Sequence, residues 1–227
     1  MRFLQRPKLP RRHRPTRVRA LTANIYRGNK RLDAARATIR KSGAHVVGTQ
    51  ETPRNGFHVD GYTTFQKRDE PYSDGVAILL DSDLEVDGHG FHRLTERCGP
   101  RPGFDAPRWA VVVDFRIGDQ KVTAINCHFP VPDTRAAVAA YQVYLAGVLA
   151  IAAAKRAAGR RVILLGDLNS VARVVPALRR AGFGWVRNHV DYIAALGLKL
   201  GRRTVIRKRR TGSDHNWVAT TLTIDAD

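Results

Sequence analysis

The chain has 227 residues, of which 43% are hydrophobic, and this allows one large domain with a sizeable core. Its 39 Lys and Arg outnumber 20 Asp and Glu, and the formal net charge of +19 favours a polyanionic partner, nucleic acid first. Two cysteines exclude a disulfide framework and a cysteine-based metal cluster. The alternative explanation of the charge is that the high arginine content reflects a compositional bias of the genome.

Residues 1–17 are rich in arginine and proline, which predicts a flexible basic arm before a domain that spans residues 18–227. The alternative is a solvated tail with no role. The arm lacks the apolar centre of a secretory signal, so we expect an intracellular, cytoplasmic protein. No apolar run is expected to be long enough to cross a bilayer, so we predict no membrane partner. Nothing in the sequence indicates an obligate oligomer.

A strand–helix–strand unit is predicted to open the domain. Residues 18–26 and 45–49 are short apolar strands, and residues 31–42 carry apolar side chains at helical spacing between them. A polar residue follows at or just past the end of each strand, Asn24 in the first and Glu51 after the second. A glutamate in such a place is usually a surface residue, but the pattern recurs later in the chain.

The middle of the chain is predicted to be mostly β-structure. We expect five strands, the last two forming a hairpin, over residues 62–66, 75–81, 84–94 (with interruptions at Gly88 and Gly90), 109–115 and 120–127. His128 follows the hairpin, where a lone histidine is more often structural than catalytic. An alanine-rich helix is predicted over residues 133–158, with Asp133 or Thr134 as its N-cap.

The segment RVILLGDLNS, residues 161–170, combines a buried strand with a polar end. Its apolar run stops at Gly166, Asp167 and Asn169 follow, and Ser170 is placed to cap a helix over residues 171–181. A buried strand that delivers a carboxylate and an amide to its carboxyl end is a common way to build an active site. An ordinary strand-to-helix turn is the alternative, because these residues also form turns.

The last part of the chain alternates acidic positions with a strongly basic run. A strand over residues 189–195 carries Asp191, and a closing strand is predicted over residues 217–224. Residues 196–212 contain no acid and end just before Asp214, so we expect this run at the rim of the site. We predict that six of its side chains contact nucleic-acid phosphates: Arg202, Arg203, Arg207, Lys208, Arg209 and Arg210.

Taken together, these strand ends resemble the endonuclease/exonuclease/phosphatase superfamily, which has the deoxyribonuclease-I-like fold. The resemblance covers residues 18–225 and rests on the segments TANI at Asn24, GTQE at Glu51, GVAILL at 75–80, NCHFP at His128, GDLN at 166–169, VDYI at 190–193 and SDHNWV at 213–218. It implies an α/β (α+β) fold, a four-layer α/β/β/α sandwich of two packed mixed sheets with outer helices. The chain is short for the superfamily, so no specific lesion or lipid recognition is carried over.

The resemblance also implies metal-assisted hydrolysis of a phosphoester. Glu51 is the chief metal ligand that it implies, with Asn24 beside it. A divalent cation offsets the charge that repels nucleophiles from a phosphodiester, and hard oxygen ligands suit Mg²⁺, with Mn²⁺ as the alternative.

By the same resemblance, His215 activates the attacking water and Asp191 orients its imidazole. Asp167 orients the water or shares in its deprotonation. Hydrogen bonds to the phosphoryl oxygens of the transition state come from Asn169 and His128. Asp214 either contacts the metal or supports His215, and the sequence leaves both roles open.

Charge favours a nuclease that cleaves DNA with little sequence selectivity, with RNA as the alternative polymer. Arg27, Arg54 and Tyr72 lie in loops from which they could contact sugar or base, although a plain surface position is the simpler interpretation. Two other functions stay open. One is a phosphatase or phosphodiesterase acting on a small or lipid phosphoester, and the other is a non-catalytic nucleic-acid-binding module.

Overall fold

The computed structural model describes residues 17–26, 29–53, 55–67, 75–96 and 107–224. Within these ranges the elements are, in chain order, β1 Arg17–Asn24, α1 Leu32–Ser42, β2 Val46–Gln50, β3 Tyr62–Gln66, β4 Ala77–Asp81, β5 Val86–Thr95, β6 Arg108–Ile117, β7 Gln120–His128, α2 Arg135–Ala157, β8 Arg161–Asp167, α3 Val171–Arg180, β9 Gly184–Asn188, β10 Asp191–Leu196, β11 Lys199–Leu200, β12 Thr204–Ile206, a 3₁₀ helix Lys208–Arg210 and β13 Trp217–Thr223.

The strands form two mixed sheets. Sheet 1 has the order β11-β13-β1-β2-β4-β3, with β12 also paired to β13, and sheet 2 has the order β5-β6-β7-β8-β10-β9. The pairs β1–β2 and β7–β8 are parallel. The other pairings are antiparallel, including β1–β13 and β8–β10, which border the parallel pairs. The carboxyl ends of β1, β2, β7 and β8 therefore lie at the same edges as the amino ends of β10 and β13.

Three separate apolar clusters define four layers. One lies between the sheets, a second lies between sheet 1 and α1, and a third lies between sheet 2 and the helices α2 and α3. Strand β8 contributes Ile163 to the first cluster and its neighbours Val162 and Leu164 to the third, as the two-residue period of a strand buried on both faces requires. The predicted four-layer sandwich is confirmed.

The helix signals in the sequence also hold. Ser170 caps α3, since its Oγ accepts a hydrogen bond from the Arg173 N–H at 3.3 Å, and Thr134 caps α2 through a 3.1 Å bond from Ala137 N–H. Gly43 ends α1 with a φ of 60°, a left-handed conformation that glycine adopts without a steric penalty.

Helix α2 corrects one expectation. It is 23 residues long, and its most apolar window has a mean hydropathy of 1.8, so by length and composition it is able to cross a membrane. The sequence-based expectation that no run has this property was wrong. Only 28% of that window is buried, yet Tyr141, Tyr144 and Val148 pack fully against sheet 2. The helix is thus an outer layer of the sandwich, and a core helix also passes a test of length and apolarity.

Several strands differ from the prediction. β9, β11 and β12 were not predicted, and β10 begins at Asp191 instead of residue 189. β5 continues through its two glycines, with only a register shift between Val86 and Gly88. β1 begins at Arg17, which pairs with Thr223, so the predicted arm ends at residue 16 or earlier. The rest of the arm lies outside the described residues, as do Arg27, Arg54 and Tyr72.

Candidate active site

Six strand ends bring the predicted site residues to one edge of the sandwich. Asn24 and Gln50 are paired across β1 and β2, so Glu51 follows beside Asn24. In sheet 2, Asp167 pairs with His128 on one side and with Asp191 on the other. His215 lies just before β13, the antiparallel neighbour of β1. The fold thus assembles side chains from both sheets that are up to 191 positions apart in the sequence (24 to 215).

Two buried carboxylates and one imidazole form the centre of the site. The Nδ1 atom of His215 lies 3.0 Å from Asp191 Oδ2 and 3.8 Å from Asp167 Oδ2. One ligand atom from each of the three residues lies within 4.8 Å of the others. The side chains of Asp167 and Asp191 are 2% and 3% exposed, and that of His215 is 24% exposed. His215 is therefore the member of this cluster that solvent or a substrate can reach.

Burial and mutual charge shift the pKa values of this cluster. Burial, reinforced by the neighbouring Asp191 carboxylate, raises the pKa of Asp167 to about 7. The hydrogen bond to Asp191, with the charges of Asp191 and Asp167, raises the pKa of His215 to about 9. Burial also raises the pKa of Asp191, although the bond from His215 opposes the shift. Without a cation the cluster thus holds protons at neutral pH, which is typical of a functional site.

Asn24 links the two sheets at the site. Its Nδ2 atom donates to Glu51 Oε1 at 3.2 Å and to Asp167 Oδ2 at 3.3 Å. Its Oδ1 atom accepts the Tyr26 N–H at 2.9 Å, which orients the amide with the amino group toward the carboxylates. Asn24 thus positions both carboxylates, and the second lone pair of its Oδ1 atom stays available for the predicted metal ligation.

His128 and Asn169 flank Asp167. His128 Nε2 lies 3.8 Å from Asp167 Oδ2, too far for a direct hydrogen bond. Asn169 donates its backbone N–H to Asp167 Oδ1 at 3.0 Å, and its Nδ2 donates to the Phe129 carbonyl at 2.8 Å. An amide NH₂ has two donors, so one remains for a substrate oxygen. Both residues are near enough to reach a phosphoryl group bound beside Asp167.

Backbone strain is concentrated at this edge. In the described part of the chain, the non-glycine residues with positive φ are Tyr26, Glu51, Asn169 and His189. Each is a site residue or lies two positions from one, namely Asn24 or Asp191. Such conformations cost about 1–3 kcal/mol each and persist where the surrounding structure holds them.

The sequence analysis missed the residues that support the site from behind. Ser213 Oγ donates to the Asn24 carbonyl at 2.7 Å and accepts the His215 N–H at 3.0 Å, so it links the backbone at the end of β1 to the backbone of His215. Trp217 Nε1 donates to the same carbonyl at 2.8 Å. Between the sheets, Gln50 Nε2 donates to Asn126 Oδ1 at 2.7 Å. Ser213 and Trp217 lie in the SDHNWV segment and Asn126 lies in NCHFP, so their place in these segments is the sequence signal that could have identified them.

Asp214 directly precedes His215, and the predicted phosphate-binding side chains lie in the segment between β10 and β13. Asp214 is exposed and outside the close cluster, and its charge raises the pKa values of His215 and Asp191. Both predicted roles of Asp214, metal contact and support of His215, stay predictions. All six predicted phosphate contacts are exposed, and their segment crosses from β10 in sheet 2 to β13 in sheet 1. The Arg209 carbonyl accepts a 3.1 Å bond from Arg31 at the start of α1.

The model of the endonuclease/exonuclease/phosphatase family matches residues 21–215, most of the chain. The chain belongs to this family. The resemblance seen in the sequence is therefore confirmed, and the matched region includes every residue of the cluster described above. Members of the family hydrolyse phosphoester bonds, and they generally depend on a divalent metal ion.

Solved structures support the same fold. A mannosyl-6-phosphatase from Bacteroides thetaiotaomicron is 17% identical, with a TM-score of 0.74 over 91% of this chain and 100% of that one. TDP2 from C. elegans is 19% identical, with a TM-score of 0.68 over 91% and 75% of the two chains. The human nocturnin catalytic domain is 13% identical, with a TM-score of 0.70 over 92% and 95%. No curated protein sequence is significantly similar.

The donor set of the site fits a divalent cation. Glu51 and Asp167 both accept from one nitrogen atom of Asn24, which places two carboxylates of different sheets side by side. Buried Asp167 and Asp191 lie together with one neutralising imidazole between them. Carboxylate oxygens are the ligands that Mg²⁺ and Mn²⁺ prefer. A cation here would favour ionised Asp167 and neutral His215, the reverse of the protonation expected without it.

Proposed function

We propose that this protein is a divalent-metal-dependent nuclease that hydrolyses DNA phosphodiester bonds with little sequence selectivity, with RNA as the second polymer to test. The observation that carries the proposal is a buried acidic centre in a protein of net charge +19. The acidic centre suits a cation, and the basic surface suits a long polyanion, which contacts many cations at once, more than a small or lipid phosphoester.

Each residue of the site has a distinct role in this proposal. Glu51, with Asn24 and Asp167 beside it, would hold the cation, Mg²⁺ or Mn²⁺, which would offset the charge of the phosphoryl and leaving oxygens. His215 is oriented through Nδ1 by Asp191. Its other nitrogen, Nε2, is left to take the proton of the attacking water. Asn24 holds the two carboxylates in place, because it donates to both.

Asn169 and His128 complete the site on the side of β7 and β8. Each brings an N–H donor to the neighbourhood of Asp167, where negative charge develops on the phosphoryl oxygens. Donors placed in advance on such oxygens lower the activation barrier, since they need no reorganisation during the reaction.

The test is cleavage of supercoiled plasmid DNA in Mg²⁺, in EDTA, and by a Glu51→Gln variant in Mg²⁺. We expect nicking that EDTA abolishes. We expect Glu51→Gln to lower it at least about 100-fold, because loss of a direct metal ligand should exceed the usual effect of changing a residue behind one. Glu85→Gln is the matched control, an exposed acid in the turn before β5. Cleavage that survives EDTA or Glu51→Gln would contradict the mechanism.

A phosphatase acting on a small phosphoester is the second candidate. It is favoured by the likeness to the mannosyl-6-phosphatase, a chain that this one covers over its whole length. That likeness is at the level of fold alone, and the charge argues against it. Release of inorganic phosphate from mannose 6-phosphate, with intact plasmid in the same buffer, would favour this function over the nuclease.

A further inference from the structure

A second basic site lies on the flank of sheet 1, away from the acidic centre. A cavity of about 470 Å³ opens between α1 and the segment formed by β12 and the 3₁₀ helix, and its lining residues are Arg19, Thr38, Lys41, Ser42, Ile206 and Arg210. This volume is within the range of about 300–1,000 Å³ that small-ligand sites occupy. The cavity is therefore large enough for one or two phosphate groups with their sugars.

The lining carries three cations and no carboxylate. Within the described ranges, no acid forms an ion pair with Arg19, Lys41 or Arg210, whereas the neighbouring α1 residues Arg36 and Arg40 are paired with Asp33 and Asp60. Unpaired cations around one cavity repel each other, and an anion removes that repulsion. The C-terminal end of α1 adds only about half a negative charge, which three full positive charges outweigh.

Hydrogen-bonding groups at the cavity point to the same ligand chemistry. The Nε atom of Arg19 is buried, and among the described residues it has no hydrogen-bond partner. Arg19 lines the cavity, and no acceptor in the described part of the chain holds its guanidinium group through Nε. Thr38 and Ser42 also line the cavity. The Ser42 hydroxyl already donates to the Ile39 carbonyl at 2.6 Å, so Thr38 supplies the hydroxyl group. Guanidinium, ammonium and hydroxyl donors together are the usual partners of a phosphate.

Helix α1 connects the edge of the active site with the cavity. Helix α1 starts at the site edge, where Arg31 donates to the Arg209 carbonyl and Asn29 Nδ2 donates to the Thr211 carbonyl at 3.0 Å. The helix then runs for about 16 Å at about 1.5 Å per residue toward the cavity, which lies along its last turns. Exposed cations of the 3₁₀ helix lie beside the first part of this path. In B-form duplex, about 16 Å corresponds to about five base pairs.

We propose that this cavity is a second phosphate-binding site, which holds the backbone of a nucleic acid several nucleotides away from the bond being cleaved. The inference rests on the proposed function, since the polyanion that reaches both places is the substrate. Arg210 belongs both to the predicted phosphate-contacting run and to the cavity, while Lys41 and Arg19 come from distant parts of the chain. The site would increase affinity and fix direction along the strand without reading bases.

The experiment compares two double variants of the full chain that each remove two positive charges. Lys41→Gln/Arg210→Gln changes the cavity, and Arg179→Gln/Arg180→Gln changes two exposed cations in the last turn of α3. Binding of a labelled duplex of about 20 base pairs is measured in EDTA by fluorescence anisotropy at several salt concentrations. We expect the cavity variant to lose about tenfold in affinity and its log–log salt slope to fall by about 2, one for each lost phosphate contact. The control should change both by much less.

Thermal unfolding with and without inorganic pyrophosphate separates the two sources of phosphate. Equal DNA binding by the two double variants overturns the proposal. If, in addition, pyrophosphate stabilises the wild type but not the cavity variant, the ligand of the cavity is a free phosphate compound and not a nucleic acid. Since binding is measured without turnover, the result does not depend on nuclease activity. If the wild type cleaves DNA but the two double variants bind it equally well, only the second site is refuted. If the cavity variant loses DNA binding but the wild type does not cleave DNA, only the nuclease function is refuted.

Discussion

Sheet 2 carries a cluster of charged side chains at each end of its strands, and the two clusters are built in opposite ways. At the end away from the site, Arg160 Nη2 lies 3.0 Å from Asp87, Arg116 Nε lies 2.8 Å from the same carboxylate, and Lys155 Nζ lies 2.6 Å from Asp114. Three cations thus neutralise two carboxylates. At the site, two buried carboxylates share one imidazole.

The pKa values record this difference. At the far end, burial alone would raise the pKa of Asp87, but hydrogen bonds from Arg116 and Arg160 lower it below its usual value. At the site, burial and the neighbouring Asp191 raise the pKa of Asp167 to about 7. The far cluster is therefore neutralised within the protein, whereas, among the described residues, the carboxylates of the site lack enough protein cations and are suited to bind an external cation.

The largest effect on activity should come from removing either member of the hydrogen-bonded pair His215 and Asp191. His215→Ala is expected to lower kcat/KM by about 10³-fold or more, because it removes the proton acceptor that Asp191 orients. Asp191→Asn should have a comparable effect, and the double variant should be little worse than either, since the two residues act as one unit. Initial rates of DNA cleavage measure this, with the exposed His92→Ala as control. Fully additive losses would mean that the two residues act separately.

Arg160→Met should have the complementary result, a loss of stability without loss of chemistry. The side chain is 10% exposed, bonds the Asp87 carboxylate, and donates to the carbonyls of Phe115 and Val122. Its removal leaves buried acceptors unpaired, and we expect the free energy of unfolding to fall by about 3 kcal/mol. Urea titration measures the loss, with the exposed Lys121→Met as control. A change below about 1 kcal/mol, or an altered kcat/KM of the folded enzyme, would contradict the contrast between the two ends.

The smallest effect on stability, and one of opposite sign to that of Arg160→Met, should come from Asp167→Asn in EDTA. Folding raises the pKa of Asp167 from 3.8 to about 7 and that of His215 from 6.5 to about 9, so the folded state binds more protons than the unfolded state across this interval. The stability of the metal-free wild type should therefore fall as pH rises from about 4 to about 9.

Asp167→Asn removes the carboxylate part of that loss. At pH 8 without metal we expect it to be more stable than wild type by about 1–2 kcal/mol, and near pH 4 about equal, while DNA cleavage is abolished. Urea midpoints across this pH range measure both, with Asp119→Asn, an exposed turn residue, as control. A variant less stable than wild type at pH 8 would show that protein groups already stabilise the ionised Asp167 carboxylate without a metal, which would contradict the contrast between the two clusters.

The sequence by itself determined the types of the long elements and the chemistry of the site. Two-residue and helical periods, with caps such as Ser170 and Thr134, are local properties that can be read directly. The site residues could be predicted because short segments such as GDLN and SDH carry the resemblance to the family, and the structure brings those segments to one edge. By contrast, β11 has two residues and β12 three, and they are strands only because β13 lies beside them.

Tertiary structure alone decided which distant groups meet. The net charge of +19 indicated a polyanion, but only the packing of α1 against the 3₁₀ segment places Arg210 in a cavity with Lys41 and Arg19. The amide orientation of Asn24 depends on a backbone N–H at Tyr26 and carboxylates from two sheets. Distances across the fold decide which carboxylates are neutralised by protein cations and which are not. No local pattern in a sequence encodes a distance between remote segments.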